Sequence, residues 1–159
     1  MVSLAERARA AAAEVVDPET PVLTIADLGV LRDVLERDGE VEVQITPTYS
    51  GCPAMNMIGL EVELALRRAG IPGHVRQVLS PAWTTDWMTE AGRQKLREYG
   101  IAPPVPGSGR RALFGRDQVD CPSCSSPDTE LIAEFGSTSC KALYRCQACR
   151  EPFDYFKCH

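Results

Sequence analysis

Histidine is scarce in this chain: two in 159 residues, so the side chain that most often carries acid–base chemistry near neutral pH is almost missing. His74 has no local partner of metal-binding or catalytic type and reads as structural or exposed, and no Ser/His/Asp set can be assembled. A cationic surplus is also missing. Lys and Arg number 17 against 22 Asp and Glu, a net charge of −5, and the first 102 residues carry 15 acidic and 10 basic groups, which is the whole excess. With no basic stripe to grip a phosphate backbone, nucleic acid is excluded as a partner. No window is long and apolar enough for a membrane span. At the N-terminus Glu6, Arg7, Arg9 and Glu14 break up the alanines where a signal peptide needs an unbroken apolar core. These absences place the protein in the cytoplasm. Internal repeats, a phosphate-binding glycine loop and paired catalytic carboxylates are absent as well.

What the chain does have is cysteine, seven in all. Four stand as C-P-S-C (Cys121, Cys124) and C-Q-A-C (Cys146, Cys149) with twenty-one residues between the pairs. Each C-x-x-C turn lets two thiolates point at one ion, and two such knuckles complete the tetrahedral four-sulfur shell of a structural zinc ribbon. A redox C-x-x-C normally stands alone beside a βαβ unit, so two copies at this spacing speak for metal. Residues 129–135 and 141–144 have strand-like composition with Gly136 and Ser137 at the turn between them, as a ribbon hairpin requires. A closed shell leaves no open coordination position, so this zinc folds a module too small to hold itself together otherwise.

Cys52, Cys140 and Cys158 are left over. If residues 146–149 turn the chain, the flanking strands run antiparallel. The extended pairing sets Cys140 opposite about Tyr155, with Cys158 at the same end, roughly 20 Å from the knuckle at about 3.3 Å per residue. With His159, these two thiols read either as a second, looser metal or iron–sulfur site or as packed thiols or a disulfide.

The rest of the chain alternates helix and strand. Leu4, Ala8, Ala11, Ala12 and Val15 form a helical stripe over residues 3–16, stopped by Asp17-Pro18. Residues 30–35 and 40–46 flank Asp38-Gly39 as a β-hairpin. After T-P-T-Y-S-G-C-P, the stripe Met55, Ile58, Val62, Leu66 marks a helix closed by Gly70, with Pro53 read as its first residue and Cys52 at the cap. A thiol there faces unpaired N–H groups, which favours thiolate and suits a nucleophile or a soft-metal ligand. The plain alternative is a small residue packed under a loop. A third strand over residues 74–79 and a last helix over residues 84–99 follow, with Trp83, Trp87, Met88 and Leu96 inward. The expected fold is therefore α+β: a small α/β domain over residues 1–102, a Pro/Gly linker with Arg110, Arg111 and Arg116 over 103–118, and a zinc ribbon over 119–159.

D-P-E-T-P-V-L-T-I-A-D-L-G-V from Asp17 and T-P-T-Y-S-G-C-P-A from Thr46 resemble the SufT-like iron–sulfur assembly domains. W-T-T-D-W-M-T from Trp83, G-I-A-P-P from Gly100, F-G-S-T-S-C-K-A-L-Y-R-C from Phe135 and the closing E-P-F-D-Y-F-K-C-H extend the likeness. Over its whole length the chain resembles the PaaD family, the accessory subunits encoded with the multicomponent phenylacetyl-CoA 1,2-epoxidase. The resemblance implies a non-catalytic role in aerobic phenylacetate breakdown. Cys52 would be the functional thiol and Asp17 its companion in transient handling of iron or an iron–sulfur cluster, and the partners would be the oxygenase or reductase subunits of the epoxidase. Two alternatives stay open: a structural subunit that stabilises the oxygenase complex, and a homodimer in which two Cys52 thiols share one ligand. An enzyme using Cys52 as a covalent nucleophile is disfavoured by the missing histidine base.

Overall fold

The computed structural model describes residues 1–49, 51–105 and 118–156. In chain order it runs α1 (Leu4–Ala13), α2 (Ile25–Leu28), β1 (Leu31–Arg37), β2 (Glu40–Ile45), α3 (Ala54–Arg68), β3 (Gly73–Gln77), a 3₁₀ turn (Thr85–Trp87), α4 (Glu90–Glu98), β4 (Ile101–Ala102), β5 (Thr129–Ala133), β6 (Lys141–Cys146) and β7 (Pro152–Phe156). The contacts divide these into two units: residues 1–83 with 87–89, and residues 84–86 with everything from 90 onward, so α4 and β4 are counted with the ribbon strands.

In the first unit β1 and β2 form the expected hairpin. Asp38 and Gly39 both take positive φ (51° and 79°), the twist a two-residue turn needs to join strands tightly. β2 then crosses over through α3 to pair in parallel with β3, giving the sheet order β1-β2-β3. Alternation along β2 buries Val41, Val43 and Ile45, and α1 and α3 cover that face with Ala8, Ala12, Ile58, Val62 and Leu66, each 2% exposed or less. Burying such a Val, Leu or Ile contributes about 1.5–3 kcal/mol, so these few positions dominate the unit's stability. Ser3 and Glu6 cap α1 reciprocally, and Gly70 in left-handed geometry (φ 69°) ends the chain's run through α3.

Two segments differ from expectation. α1 stops at Ala13, because Val15, Val16 and Asp17 pair instead with the returning chain: Ile25 N–H donates to Val15 O (2.8 Å) and Asp17 N–H to Leu23 O (2.9 Å). The single helix read over residues 84–99 is a 3₁₀ turn followed by α4. Trp83 Nε1 donates to Leu28 O (2.9 Å) and Thr89 N–H to Asp27 O (2.9 Å), so this stretch spends its donors on the end of α2 and not on its own helical ladder. Trp83 and Met88 are buried, while Trp87 is half-buried with the Arg32 guanidinium 3.6 Å over its ring.

The second unit is a four-stranded sheet in the order β4-β7-β6-β5. Tyr144 lies against both Phe153 and Tyr155 (centroids 5.9 and 5.5 Å), and with Val119, Ala142 and the buried sulfurs of Cys121 and Cys146 they make its core. Arg93, buried on α4, donates to Thr85 O (2.9 Å) and Pro104 O (2.5 Å), fastening the segments before and after that helix. β6 and β7 pair as Ala142↔Tyr155 and Lys141↔Phe156, so the expected opposition of Cys140 and Tyr155 is corrected by two positions. The cause is a turn wider than Cys146–Cys149: Cys146 N–H donates to Glu151 O (3.0 Å). Most of the Pro/Gly/Arg linker read at 103–118, including Arg110, Arg111 and Arg116, lies outside the described residues, as do Cys158 and His159.

Candidate thiol and metal sites

The four knuckle cysteines converge. All their sulfurs lie within 4.8 Å of one another, with Cys121 Sγ 3.8 Å from Cys149 Sγ and Cys124 Sγ 3.6 Å from Cys146 Sγ. Zinc–sulfur bonds of about 2.3 Å in a tetrahedron set sulfurs about 3.8 Å apart, so the donor set and its spacing fit that ion. The two knuckles repeat one hydrogen-bond plan. Ser125 N–H donates to Cys121 O and Cys121 N–H to Ser126 O, both 2.9 Å; Arg150 N–H donates to Cys146 O (3.1 Å) and Cys146 N–H to Glu151 O. Each plan passes through a non-glycine residue at positive φ, Ser125 (63°) and Arg150 (69°), which is the tightness needed to aim both sulfurs of a pair inward.

The protonation of this cluster is uneven. The amide of Cys149, then burial against it and the amide of Ala148, set the balance at Cys146, whose thiol comes down to about 7. Cys149 gains from the Glu151 amide, but burial and the crowding sulfurs of Cys146, Cys121 and Cys124 outweigh it and push the thiol up to about 12. Four thiolates cannot share this space unless a cation neutralises them. Among the described residues this is the one cluster of three or more metal-type ligands.

Cys52 sits elsewhere, between the loop that leaves β2 and the start of α3. The helix begins at Ala54 with Pro53 as its cap residue, and the cap supplies no side-chain hydrogen bond. The Ala54 amide does favour the Cys52 thiolate, as its place in the sequence leads one to expect. Burial is the larger effect, and the carboxylates of Glu19 and Asp17 add to it, so the thiol is pushed up and stays protonated at neutral pH. A Tyr49 side-chain hydrogen bond opposes this shift.

Asp17 lies in the turn that follows α1. Thr20 N–H donates to Asp17 O (3.2 Å), Leu23 N–H to Thr20 O (2.9 Å), and the bridge Val16↔Thr24 closes the loop. Asp17 is 6% exposed, and its Oδ1 accepts from Glu19 N–H at 3.0 Å, an Asx turn that fixes the carboxylate. The charges of Asp17 and Glu19 and the side chain of Tyr49 all act on the Cys52 thiol. Glu19 had a signal, two places after Asp17 in the same motif; Tyr49 stands three before Cys52, where spacing alone is silent.

Cys140 is 3% exposed at the start of β6, with its sulfur 2.9 Å from the Thr138 hydroxyl. His74 is exposed, its Nε2 3.4 Å from Glu42 Oε2, which fits a surface role.

Two family models match the chain: an iron–sulfur cluster assembly protein over residues 5–80 and a PaaD zinc beta ribbon domain over residues 106–157. The crystal structure of a domain of unknown function, DUF59, from Bacillus anthracis superposes with a TM-score of 0.54 at 25% identity, covering 58% of this chain and 91% of that one. The Fe-S protein maturation auxiliary factor YitW of Bacillus subtilis (strain 168) is 38% identical over 99 residues, 59% of this chain and 94% of its own length. The class is therefore an assembly-type α/β domain joined to a zinc ribbon. Over 146 residues the chain is 53% identical to a protein of Escherichia coli (strain K12) named as a subunit of 1,2-phenylacetyl-CoA epoxidase, covering 91% of this chain and 87% of that protein. The chain belongs to the PaaD family.

Proposed function

We propose that this chain is a cytoplasmic accessory factor of a phenylacetyl-CoA epoxidase, working in aerobic phenylacetate degradation by helping iron or an iron–sulfur cluster reach an oxygenase or reductase subunit. The observation that carries this reading is a half-buried thiol, Cys52, under the charge of the buried, turn-locked carboxylate of Asp17 in a domain of the iron–sulfur assembly type. One sulfur and nearby oxygens make few bonds, so a guest held there can be handed on by ligand exchange. Cys121, Cys124, Cys146 and Cys149 would hold a structural zinc, which supplies folding energy and, with four sulfurs around it, no open position for chemistry. In this reading the chain transforms no organic substrate itself.

The test is co-expression of the epoxidase subunits with Cys52→Ala. Zinc content and folding should match the wild type while iron content and activity of the oxygenase fall. Full iron loading beside the mutant would remove Cys52 from the mechanism. A second reading, favoured by the naming of the Escherichia coli relative as part of the epoxidase, is a structural component that stabilises the oxygenase complex. Stoichiometric retention in the active complex, with no effect of Cys52→Ala on metal, would select it.

A further inference from the structure

α3 is apolar on two sides. Met55, Ile58, Val62 and Leu66 are buried against the core, but Met57, Leu60 and Leu64 repeat the spacing of three and four on the opposite side, where Met57 and Leu60 are 50% and 53% exposed. A helix that covers one face of a sheet needs a single such stripe, and a second one belongs to a helix covered from both sides. A groove runs beside it. Arg7, early in α1, donates from Nη2 to Ala69 O beyond the end of α3 (3.1 Å), whereas Val15 and Val16 lie against Glu61, so the two helices run antiparallel. Between them is a cavity of about 220 Å³ floored by Ala11, Val15 and Ala65. Val16, 48% exposed and next to Asp17, closes its far end, so the groove leads toward the start of α3, where Cys52 stands. Glu14 and Glu61 flank it with Arg68, and among the described residues none of these three has an ion-pair partner.

We propose that this face docks the receiving protein, an epoxidase subunit presenting an amphipathic helix whose apolar side chains are flanked by lysine or arginine. The proposal rests on the delivery reading above and names where the recipient binds. The cavity is too small for a cofactor: pockets for such ligands span about 300–1,000 Å³, whereas this one takes one or two aliphatic side chains and continues onto open apolar surface. The partner's backbone must satisfy itself, because both walls are helices whose N–H and C=O groups bond internally and offer no strand edge to extend. A helix meets that condition. Its charge is set by the rim. Two carboxylates against one guanidinium, with Asp17 and Glu19 beyond Val16, attract cations and repel an acidic surface. A second copy of this chain, whose first 102 residues carry 15 acidic and 10 basic groups, meets that repulsion. Met57 and Leu64 are about 10 Å apart along the axis, so the partner contributes about two turns, and a contact of that size is weak and short-lived, as a hand-over needs.

The experiment measures binding of the full-length, zinc-loaded protein to the purified oxygenase and reductase subunits of the epoxidase by biolayer interferometry. Met57→Gln combined with Leu60→Gln keeps side-chain length and helix propensity while removing the outer stripe. Binding to the recipient subunit should weaken by at least about tenfold, with an unchanged thermal midpoint. Glu14→Lys combined with Glu61→Lys should weaken it by about tenfold at low salt and flatten the loss of affinity that the wild type shows as salt rises. This second pair decides the matter if the first folds poorly. Variants that bind like the wild type overturn the docking surface and leave delivery standing. A wild type that binds neither subunit overturns both. A wild type that sediments as a dimer, and as a monomer once Met57 and Leu60 are replaced, gives the stripe to a second copy and overturns the proposal. Binding that both pairs weaken, beside full iron loading with Cys52→Ala, keeps the surface and sinks delivery through the thiol.

Discussion

The Asp17 carboxylate acts by its charge on the thiol of Cys52, distant in sequence, from a turn after α1 that closes through the Val16↔Thr24 bridge and keeps Asp17 buried. A negative charge near a thiol disfavours thiolate, so removing that charge must make the thiol easier to ionise. Burial, then Glu19, then Asp17 raise the thiol, which keeps its proton through neutral pH and ionises only in the alkaline range. Asp17→Asn, which retains an oxygen to accept from Glu19 N–H, should lower the midpoint of the pH profile of Cys52 alkylation by iodoacetamide and speed labelling at pH 7 by roughly two- to threefold, with Glu19→Gln at least as effective. Slower labelling in either variant would contradict this electrostatic account of the site.

Gly29 is irreplaceable for two reasons that act together. It ends α2 at φ 75°, and a Cβ built there would lie 2.6 Å from both the Cβ and the carbonyl oxygen of Trp87. The left-handed conformation costs a non-glycine residue about 1–2 kcal/mol, and overpacking against backbone about 1–3 kcal/mol more. Gly29→Ala should therefore destabilise the protein by about 3 kcal/mol in urea unfolding followed by tryptophan fluorescence. A loss below about 1 kcal/mol would mean that the Trp87 segment yields easily.

Thr46 presents the opposite case. Its hydroxyl is buried, with the residue 1% exposed, and has no hydrogen-bond partner among the described residues, although its backbone N–H is satisfied by Val30 O at 2.9 Å. Valine has nearly the same shape without the desolvation cost, so Thr46→Val should stabilise by about 1 kcal/mol in the same unfolding measurement. A destabilised variant would reveal a partner for the hydroxyl.

Local chemistry was what the sequence made legible. Asp38-Gly39, Gly70 and the C-x-x-C spacing each act through neighbours in the chain, so the hairpin, the end of α3 and the sulfur cluster could be placed without tertiary information. α2 carried a readable signal, since Thr24 and Asp27 form a capping box, but four residues offer too little periodicity to register as a helix. β4 carried none: two residues, Ile101 and Ala102, become a strand because they pair with Asp154 and Tyr155, fifty-three residues later. The Cys52 thiol shows the same limit in its chemistry. Its place at a helix start pointed toward thiolate, and the Ala54 amide is present as that logic requires. The opposing burial and the carboxylates of residues 17 and 19 come from elsewhere in the fold and reverse the sign.

The zinc ribbon makes a prediction about protons. Without an ion, crowding by neighbouring sulfurs raises Cys149 to about 12, and Cys124 is raised as well: the Ser126 amide favours its thiolate, but the Cys146 sulfur and burial outweigh that help. Both are then protonated at neutral pH, so closing the four-sulfur shell must expel at least those two protons. Acid opposes the ion, and apparent affinity should fall by at least about a hundredfold for each unit the pH drops near neutrality. Competition for zinc between the protein and a chromophoric chelator, repeated from pH 6 to pH 8, measures that slope directly. A slope below two protons per zinc would mean that the four cysteines do not all bind as thiolates, and replacing Cys149 by serine would then leave zinc retention nearly intact instead of abolishing it.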